Sequence, residues 1–541
     1  MAADADPTRD RTRSQDSPPP PAPSREVKLQ LGPRLGLGGG PELAACLLIL
    51  ILFAVVGGVS QEAQSLGAFG GPFGGLFDSR SVAERAPDVL AEAIRMRTTN
   101  PPGDERKLAR RFAAELRRAG VDAGTIDTPS AADGRPRAAV WGRLRGKGQR
   151  PALALLSHLD TIPAEEDGWS VDPFAGEIWD GFVWGRGALD AKGVAVSHLM
   201  TMIAIAESGL VLDRDLVFLA TPEEETGGRK GSGWLVTHHP ELLRGVGYLL
   251  TEGGGIEVLR KQDAKSAHVW GISVVEKSPC WLEIRTSGPA GPSASRSPNA
   301  AVPKLVAALD RIRRVESPVR VTKEVEQMFT GLAPIAAEWD RAGYLFLETT
   351  LKRDEGFRRR FLDDLDQNAL VRNTVSITVL EGAPATARAE LDARLLPGES
   401  CAAFAGAIRS LINDPAVVVE EVLSFPAVAS PSDTPLYKAI ERVAAAQKEP
   451  GLVVAKMSGE LSGAHWFRER GIIAYGFVPR GLTSDERARQ GGVDERISLD
   501  ALKESIQLTI EIARALDEIE DAGEIRAQAK DAANAALSQE A

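Results

Sequence analysis

The chain changes character three times along its length. Residues 1–42, which contain DSPPPPAPS and GLGGG, carry no hydrophobic period and too little apolar side chain to bury a core; a disordered tail is expected there. Leu43–Val59, LAACLLILILFAVVGGV, then runs seventeen residues without a charge, about the minimum for a bilayer span. One transmembrane helix is expected, kept as an anchor or cleaved as a signal segment. Residues 60–79, with SLGAFGGPFGGLFDS, read as a flexible linker. From residue 80, strand-length apolar runs such as PALALL, DLVFLAT and VGYLL alternate with longer helical periods such as KGVAVSHLMTMIAIAES. That alternation predicts an α/β domain built on a mostly parallel sheet.

Composition narrows the picture. A chain of 541 residues with 43% hydrophobic content is too long for one ordinary domain, so two or three are expected. A net charge of -11 argues against nucleic acid as a partner, because phosphate binding wants a basic face. Cys46, Cys280 and Cys401 lie too far apart for a cysteine zinc site or a disulfide framework, leaving at most one Cys280–Cys401 bridge. Six Lys or Arg precede residue 43 and none follows the apolar run until Arg80, which places the N-terminus in the cytoplasm. The remainder is then membrane-anchored and extracytoplasmic, or secreted if cleavage occurs near Gly58 and Ser60.

In such sheets ligands collect beyond the carboxyl ends of the strands. PALALL is followed by SHLDT, which puts His158 and Asp160 two apart and so on one face of an extended strand. The turn-like DGFVWGRG leads to Asp190 and a helix, DLVFLAT to Glu223, Glu224 and Glu225, and VGYLL to TEGGG with Glu252. Each has a plain explanation taken singly: a helix N-cap for Asp190, a solvated turn for the Glu run, a satisfied structural histidine for His158. Together, one imidazole and several carboxylates at successive strand ends form a hard-donor cage suited to a divalent ion such as zinc. Two ions would need a bridging carboxylate, for which Asp190 is central. Of the adjacent Glu224 and Glu225, one can hold metal while the other deprotonates water, and Asp160 would sit behind His158 to fix its tautomer.

SHLDT, GRGALDAKG, PEEETGG and TEGGG, in this order and spacing, resemble the M20 family of metallopeptidases and aminoacylases. TTNPPGDE, Thr98 to Glu105, resembles the start of that family's catalytic domain and EKSP, Glu276 to Pro279, the join to its lid. VRNTVSITVLEG and LDARLLPGES resemble the lid's last strands and the return from it. The similarity spans residues 80–515 and is greatest to the branch holding carboxypeptidase S and the secreted N-acyl amino acid hydrolase. It implies a di-metal hydrolase domain in two parts, 80–277 and 398–515, an inserted α+β lid or dimerisation domain at 278–397, and a tail at 516–541. It further implies zinc held by His158, Asp190, Glu225 and Glu252, with Asp190 bridging, Glu224 as general base, and Asp160 orienting His158. The implied reaction is hydrolysis of an amide next to a free carboxylate, in a small peptide or an N-acyl amino acid. In the family the lid often pairs two copies into a homodimer.

Four features of the family pattern are altered. Where a metal-binding histidine should precede a G-x-[DN]-E-R sequence, QGGVDERISL has Gly491, which offers no side chain. SGPAGPSASRSP has Pro292 in place of the lid histidine that stabilises the oxyanion. SGAHWFRERGIIAYGF has Gly463 and His465 where T-D-[AS]-R is expected, and EGAPATARAE lacks an expected Asn. His465 is the sole histidine of the C-terminal half and the candidate substitute ligand. Two readings follow: an amide hydrolase with an altered site, or a catalytically impaired relative that acts as a binding protein. The intact carboxylate cluster favours the first, since a drifted pseudo-enzyme has no physical need to keep like charges together. Gly491 and Pro292 favour the second.

Overall fold

The computed structural model describes residues 80–165, 167–260, 266–289, 299–383 and 385–519. The expected tail, membrane segment, linker and Pro292, and all but the first few residues of the C-terminal tail, lie outside the described residues. Among the described residues no helix is long and apolar enough to cross a membrane.

Strands β1 (Asp122–Thr128), β2 (Arg137–Leu144) and β3 (Arg150–His158) lead into a small hairpin of β4 (Glu177–Trp179) and β5 (Phe182–Trp184). They are followed by β6 (Arg214–Thr221), β7 (Val246–Arg260) and β8 (Ser266–Glu276). A separate sheet comes next, from β9 (Ser278–Ser287), β10 (Thr374–Gly382), β11 (Thr386–Leu395) and β12 (Val417–Ser424). The chain ends with β13 (Leu452–Ser458), β14 (Ile473–Leu482) and β15 (Arg496–Ser498).

The main sheet has the order β1-β2-β6-β3-β7-β14-β8-β13. Its centre, β6-β3-β7-β14, is parallel, as is the β8–β13 pair, whereas β1–β2 and β2–β6 are antiparallel. The sequence of β3 explains its central place. Leu153 and Leu155 enter the core on one face, and Ala152, Ala154 and Leu156 enter a second cluster on the other. Each fully buried leucine is worth about 1.5–3 kcal/mol, so a strand apolar on both faces is favoured where both are covered. The helix Lys192–Ser208, buried over nearly its whole length, covers one face and stops at Gly209 in the left-handed conformation.

The second sheet, β10-β11-β9-β12, is antiparallel and shares a core with the helices Ala301–Arg313 and Cys401–Ile412. This antiparallel α+β unit stands where the lid is expected, and it departs from the expected bounds. Its far boundary is not Pro397: β12 pairs with β9, and Ile408, Ile412, Val417 and Val419 bury in the lid's core, so the return comes after Ser424. Cys280 and Cys401 form a disulfide joining β9 to the helix Cys401–Ile412. In contrast, Val325, Phe329, Leu347 and Phe361, from helices inserted between residues 323 and 363, pack into the core of the main sheet. The first of these helices, Lys323–Leu332, lies on β13 and covers an otherwise open sheet edge.

Candidate metal centre

His158 ends β3, and the Glu224–Thr226 turn follows β6. Asp190 follows the β4–β5 hairpin, whose Asp180-Gly181 turn takes positive φ at both residues, as two-residue hairpins require. Glu252 is not at a strand end as the sequence suggests. β7 runs on to Arg260, and its pairing with β14 shifts register just after Glu252. The glycines of TEGGG permit this: a β-carbon at Gly254 would meet Gly476 O at 2.2 Å and Gly271 O at 2.3 Å. Only a side-chain-free strand fits between these neighbours.

These elements converge on His158 Nε2. It lies 3.0 Å from Asp190 Oδ1, 3.2 Å from Glu252 Oε2 and 3.9 Å from Glu224 Oε2. Among the described residues, two sets of three ligand atoms are close enough to share an ion: His158 with Glu224 and Glu252, and His158 with Asp190 and Glu225. Two donors on one tetrahedral zinc stand about 3.4 Å apart, given metal distances of about 2.0–2.2 Å. The donor chemistry and the His158 spacings therefore fit zinc.

Asp160 has a wider role than its sequence position suggests. The nearest acceptor for His158 Nδ1 is the Asp160 backbone carbonyl at 3.0 Å, with the carboxylate at 3.5 Å. A carbonyl only accepts, so Nδ1 carries the proton and Nε2 is left free to ligate. The Asp160 carboxylate instead accepts from the backbone N–H groups of Glu224 and Glu225, both at 3.1 Å, fixing the turn that carries them. Behind it, Asn100 donates to Asp160 Oδ2 at 2.8 Å, and Arg137 donates to Asn100 Oδ1 at 2.7 Å. Arg137 in turn faces Glu105, which is fully buried.

Crowded carboxylates in a buried site cannot all stay charged without a cation. Burial pushes Glu225 up to about 9, with Asp190, Asp160 and Glu252 adding to the rise and His158 opposing it. Burial likewise raises Glu224 well above the usual range, with Glu252 and Glu225 reinforcing it against His158. Burial alone would lower His158, but Glu252, Asp160 and Asp190 outweigh it and hold the imidazole well above its ordinary value. Burial pushes Asp190 upward, yet His158, Gln490 and Arg480 bring it below the usual range.

QGGVDER reaches the site because β15 pairs with β5, Arg496 opposite Trp184. Glu495, fully buried, accepts from the backbone N–H groups of Leu189 at 2.8 Å and Asp190 at 3.0 Å, and from Arg186 at 2.5 Å. Gly491 has φ +67°, and its neighbour Gln490 donates through Nε2 to Asp190 Oδ2 at 3.1 Å. The only sequence signal for Gln490 is its place beside Gly491. His465 belongs to neither ligand set: its buried ring stacks on Phe425 with centroids 3.4 Å apart, and Nδ1 faces Ser462 O at 2.9 Å. Burial drives its pKa down to about 3. At Gly463 a β-carbon would lie 3.1 Å from Ser232 Oγ and 3.2 Å from Leu156 Cδ2, so a larger residue is crowded there.

A cavity of about 250 Å³ opens over Asp190, Glu224, Glu225 and Glu252. The lid supplies Trp281 from β9 and Arg394 from β11 to its wall, and neither was singled out by motif. Asp392 grips Arg394 through two bonds of 2.8 Å, leaving Nη1 without a hydrogen-bond partner.

Among known proteins, the chain is 25% identical over 382 residues to the N-fatty-acyl-amino acid synthase/hydrolase PM20D1 of Xenopus tropicalis, covering 67% of this chain and 72% of that protein. It is 23% identical over 367 residues to the probable carboxypeptidase S-like 2 of Dictyostelium discoideum, covering 65% and 69% respectively. Its fold matches that of human carnosine dipeptidase 1 with a TM-score of 0.62 at 15% identity, covering 82% of this chain and 98% of that one. Residues 154–515, which hold the carboxylate-bearing turns and the QGGVDER segment alike, match Peptidase family M20/M25/M40, and the chain belongs to that family.

Proposed function

We propose that the protein hydrolyses an amide bond adjacent to a free carboxylate, in a dipeptide or an N-acyl amino acid. The observation that carries this reading is one cavity lined by Asp190, Glu224, Glu225 and Glu252, with His158 buried against Asp190 and Glu252 and the Arg394 side chain of the lid on the cavity wall. His158, Asp190, Glu225 and Glu252 would hold a divalent ion, which when bound would supply Lewis acidity toward an amide carbonyl and acidify water. Arg394, kept planar and oriented by Asp392, pairs with the substrate carboxylate. Glu224, beside His158 and Glu252, takes a proton from the attacking water and passes it to the leaving nitrogen. Trp281 offers an apolar wall to the substrate side chain or acyl group. The homologues' names, a fatty-acyl-amino acid hydrolase and a carboxypeptidase, support both substrate classes.

The same reading keeps the protein outside the cytoplasm, anchored through residues 43–59 or released by cleavage there. The Cys280–Cys401 disulfide supports an oxidising compartment. The lid's outer strand β10, with Ile377 and Leu380 exposed, is the surface proposed to pair two copies.

The competing reading, an impaired relative that binds without turnover, draws on the missing imidazole at Gly491. Release of free amino acid from a panel of N-acyl amino acids and dipeptides, by zinc-loaded protein, separates the two. Turnover abolished by Glu224→Gln supports the hydrolase. Saturable binding of the panel with no release would establish the binding protein.

A further inference from the structure

Asp190 has no spare oxygen. Oδ1 lies 3.0 Å from His158 Nε2, and Oδ2 accepts from Gln490 Nε2 at 3.1 Å. A carboxylate bridging two cations presents one oxygen to each, so an amide N–H seated on Oδ2 occupies the direction a second cation would use. Gln490 must present its NH₂ there, because a carboxylate only accepts.

The ligand geometry points the same way. Both sets of ligand atoms found among the described residues include His158, so the donors share one focus. For a second ion beside Asp190, Glu225 is the one further carboxylate among the described residues that shares a ligand set with it. Glu460 lines the same cavity but joins neither set, Gly491 has no side chain and His465 is stacked on Phe425. Catalytic zinc sites are usually built from three protein ligands. Two carboxylates, one already hydrogen-bonded by Gln490, do not meet that need.

We infer that the centre holds one divalent ion, at His158, and that the Gln490 amide stands in for a second. In this role Gln490 is a positioning residue: it restrains Asp190 and offsets part of the charge the absent cation would have balanced. The inference rests on the metal-dependent reading proposed above and specifies its stoichiometry.

The test is metal content per chain, measured by elemental analysis of the full chain in detergent after equilibration with zinc and removal of the excess. Manganese-loaded protein gives an independent readout, since two ions sharing a carboxylate show exchange coupling in electron paramagnetic resonance and a lone ion does not. Wild type is expected to hold one ion per chain with an uncoupled signal. Gln490→Glu replaces the donor with a ligand of the same shape and should raise the count to two with a coupled signal. Gly491→His should do the same. A β-carbon there meets only Ile162 Cδ1 at 3.4 Å, but φ is +67°, so Gln490→Glu, which leaves that backbone alone, carries the test if Gly491→His fails to fold. Two ions in wild type would overturn the inference and leave the hydrolase reading standing. No ion in wild type would overturn both. A Gln490→Glu protein that folds yet stays at one ion would remove Gln490 from the role.

Discussion

Asn100 donates to Asp160 Oδ2 at 2.8 Å while accepting from Arg137 at 2.7 Å, and both residues are buried. Through this pair the segment TTNPPGDE governs the site from behind, since Asp160 holds the backbone of Glu224 and Glu225. Replacing Asn100 with Ala leaves one oxygen of Asp160 and one N–H of Arg137 short of a partner. Loss of such outer-layer support costs about 10- to 100-fold in metal affinity or activity. Asn100→Ala is therefore expected to weaken zinc binding or lower kcat by that factor, with KM little changed. An Asn100→Ala protein with wild-type zinc affinity and kcat would show that the relay has no hold on the turn.

Glu224 sits 3.9 Å from His158 Nε2, beyond the 3.0 and 3.2 Å of Asp190 and Glu252. That offset suits a base better than a ligand. Glu224→Gln keeps the shape but removes the proton acceptor, and kcat is expected to fall by about 10²- to 10⁴-fold. Zinc content should be retained. Joint loss of metal and activity would make Glu224 a ligand.

The metal-free protein should lose stability as pH rises. A carboxyl with a raised folded pKa binds its proton more tightly folded than unfolded; its contribution is complete below the unfolded value and lost as pH climbs through the folded one. Burial is the main cause for Glu225, held at about 9, and for Glu105, held at about 8, both against an ordinary 4.5. His158, also raised, acts in the same direction above its ordinary 6.5. Asp160 and Asp190, lowered from 3.8, act oppositely only in strong acid. His198 and His465, driven by burial to about 3, act oppositely up to their ordinary 6.5, and Lys192, lowered by burial to about 7, does so above that value. These are fewer groups than the raised carboxyls they oppose. Metal requires deprotonated ligands, so its stabilising effect grows over the same window. Thermal melts of chelated protein should show Tm falling between about pH 5 and about pH 8, with the zinc-induced rise in Tm increasing. Glu105→Gln should flatten part of the fall, because Glu105 is buried with neither oxygen hydrogen-bonded. A Tm that rises over this window would contradict the assignment.

The disulfide closes a long loop, Cys280 and Cys401 being 121 residues apart. Loops of this size give about 4–5 kcal/mol through the entropy of the unfolded chain, and measured losses run from about 2 to 5 kcal/mol. The double variant Cys280→Ala/Cys401→Ala should lower the denaturant midpoint of the lid correspondingly. Labelling of both thiols in the unreduced native protein would mean that the bridge does not form.

Much of the floor of the site was legible in the sequence because it depends on local order. An apolar run long enough for one strand must end somewhere, and SHLDT and PEEETGG mark where β3 and β6 end. The exceptions have identifiable causes. Glu252 was misplaced at a strand end because glycines usually break strands, whereas here Gly254 is needed for two neighbours to close on β7. The lid boundary was set too early because nothing in residues 401–424 shows that β12 adds to β9, a strand more than 130 residues earlier. Gln490, Asn100 and Arg137 acquire meaning only through partners distant in sequence. Trp281 and Arg394 acquire theirs only when the lid lies over the main sheet.

On the proposed reading, Arg394 separates the recognition of substrate from its chemistry. It belongs to the lid, the donors proposed to hold metal belong to β3, β7 and the segments after β5 and β6, and the cavity is lined by residues of both groups. Asp392 holds Nε and Nη2 and so fixes the guanidinium whose side chain lines the cavity. A hydrogen bond to a charged group contributes about 1.5–3 kcal/mol, which at about 1.4 kcal/mol per tenfold corresponds to a change of about 10- to 150-fold. Arg394→Ala should raise KM by that amount for substrates with a free carboxylate, while zinc content stays unchanged. Arg394→Lys should recover little, because an ammonium cannot be held by Asp392 in the same two-point grip. The same comparison with a substrate amide in place of the carboxylate supplies the control. Wild type should bind the amide as weakly as Arg394→Ala does, and a wild-type protein that does not discriminate between acid and amide would place carboxylate recognition elsewhere.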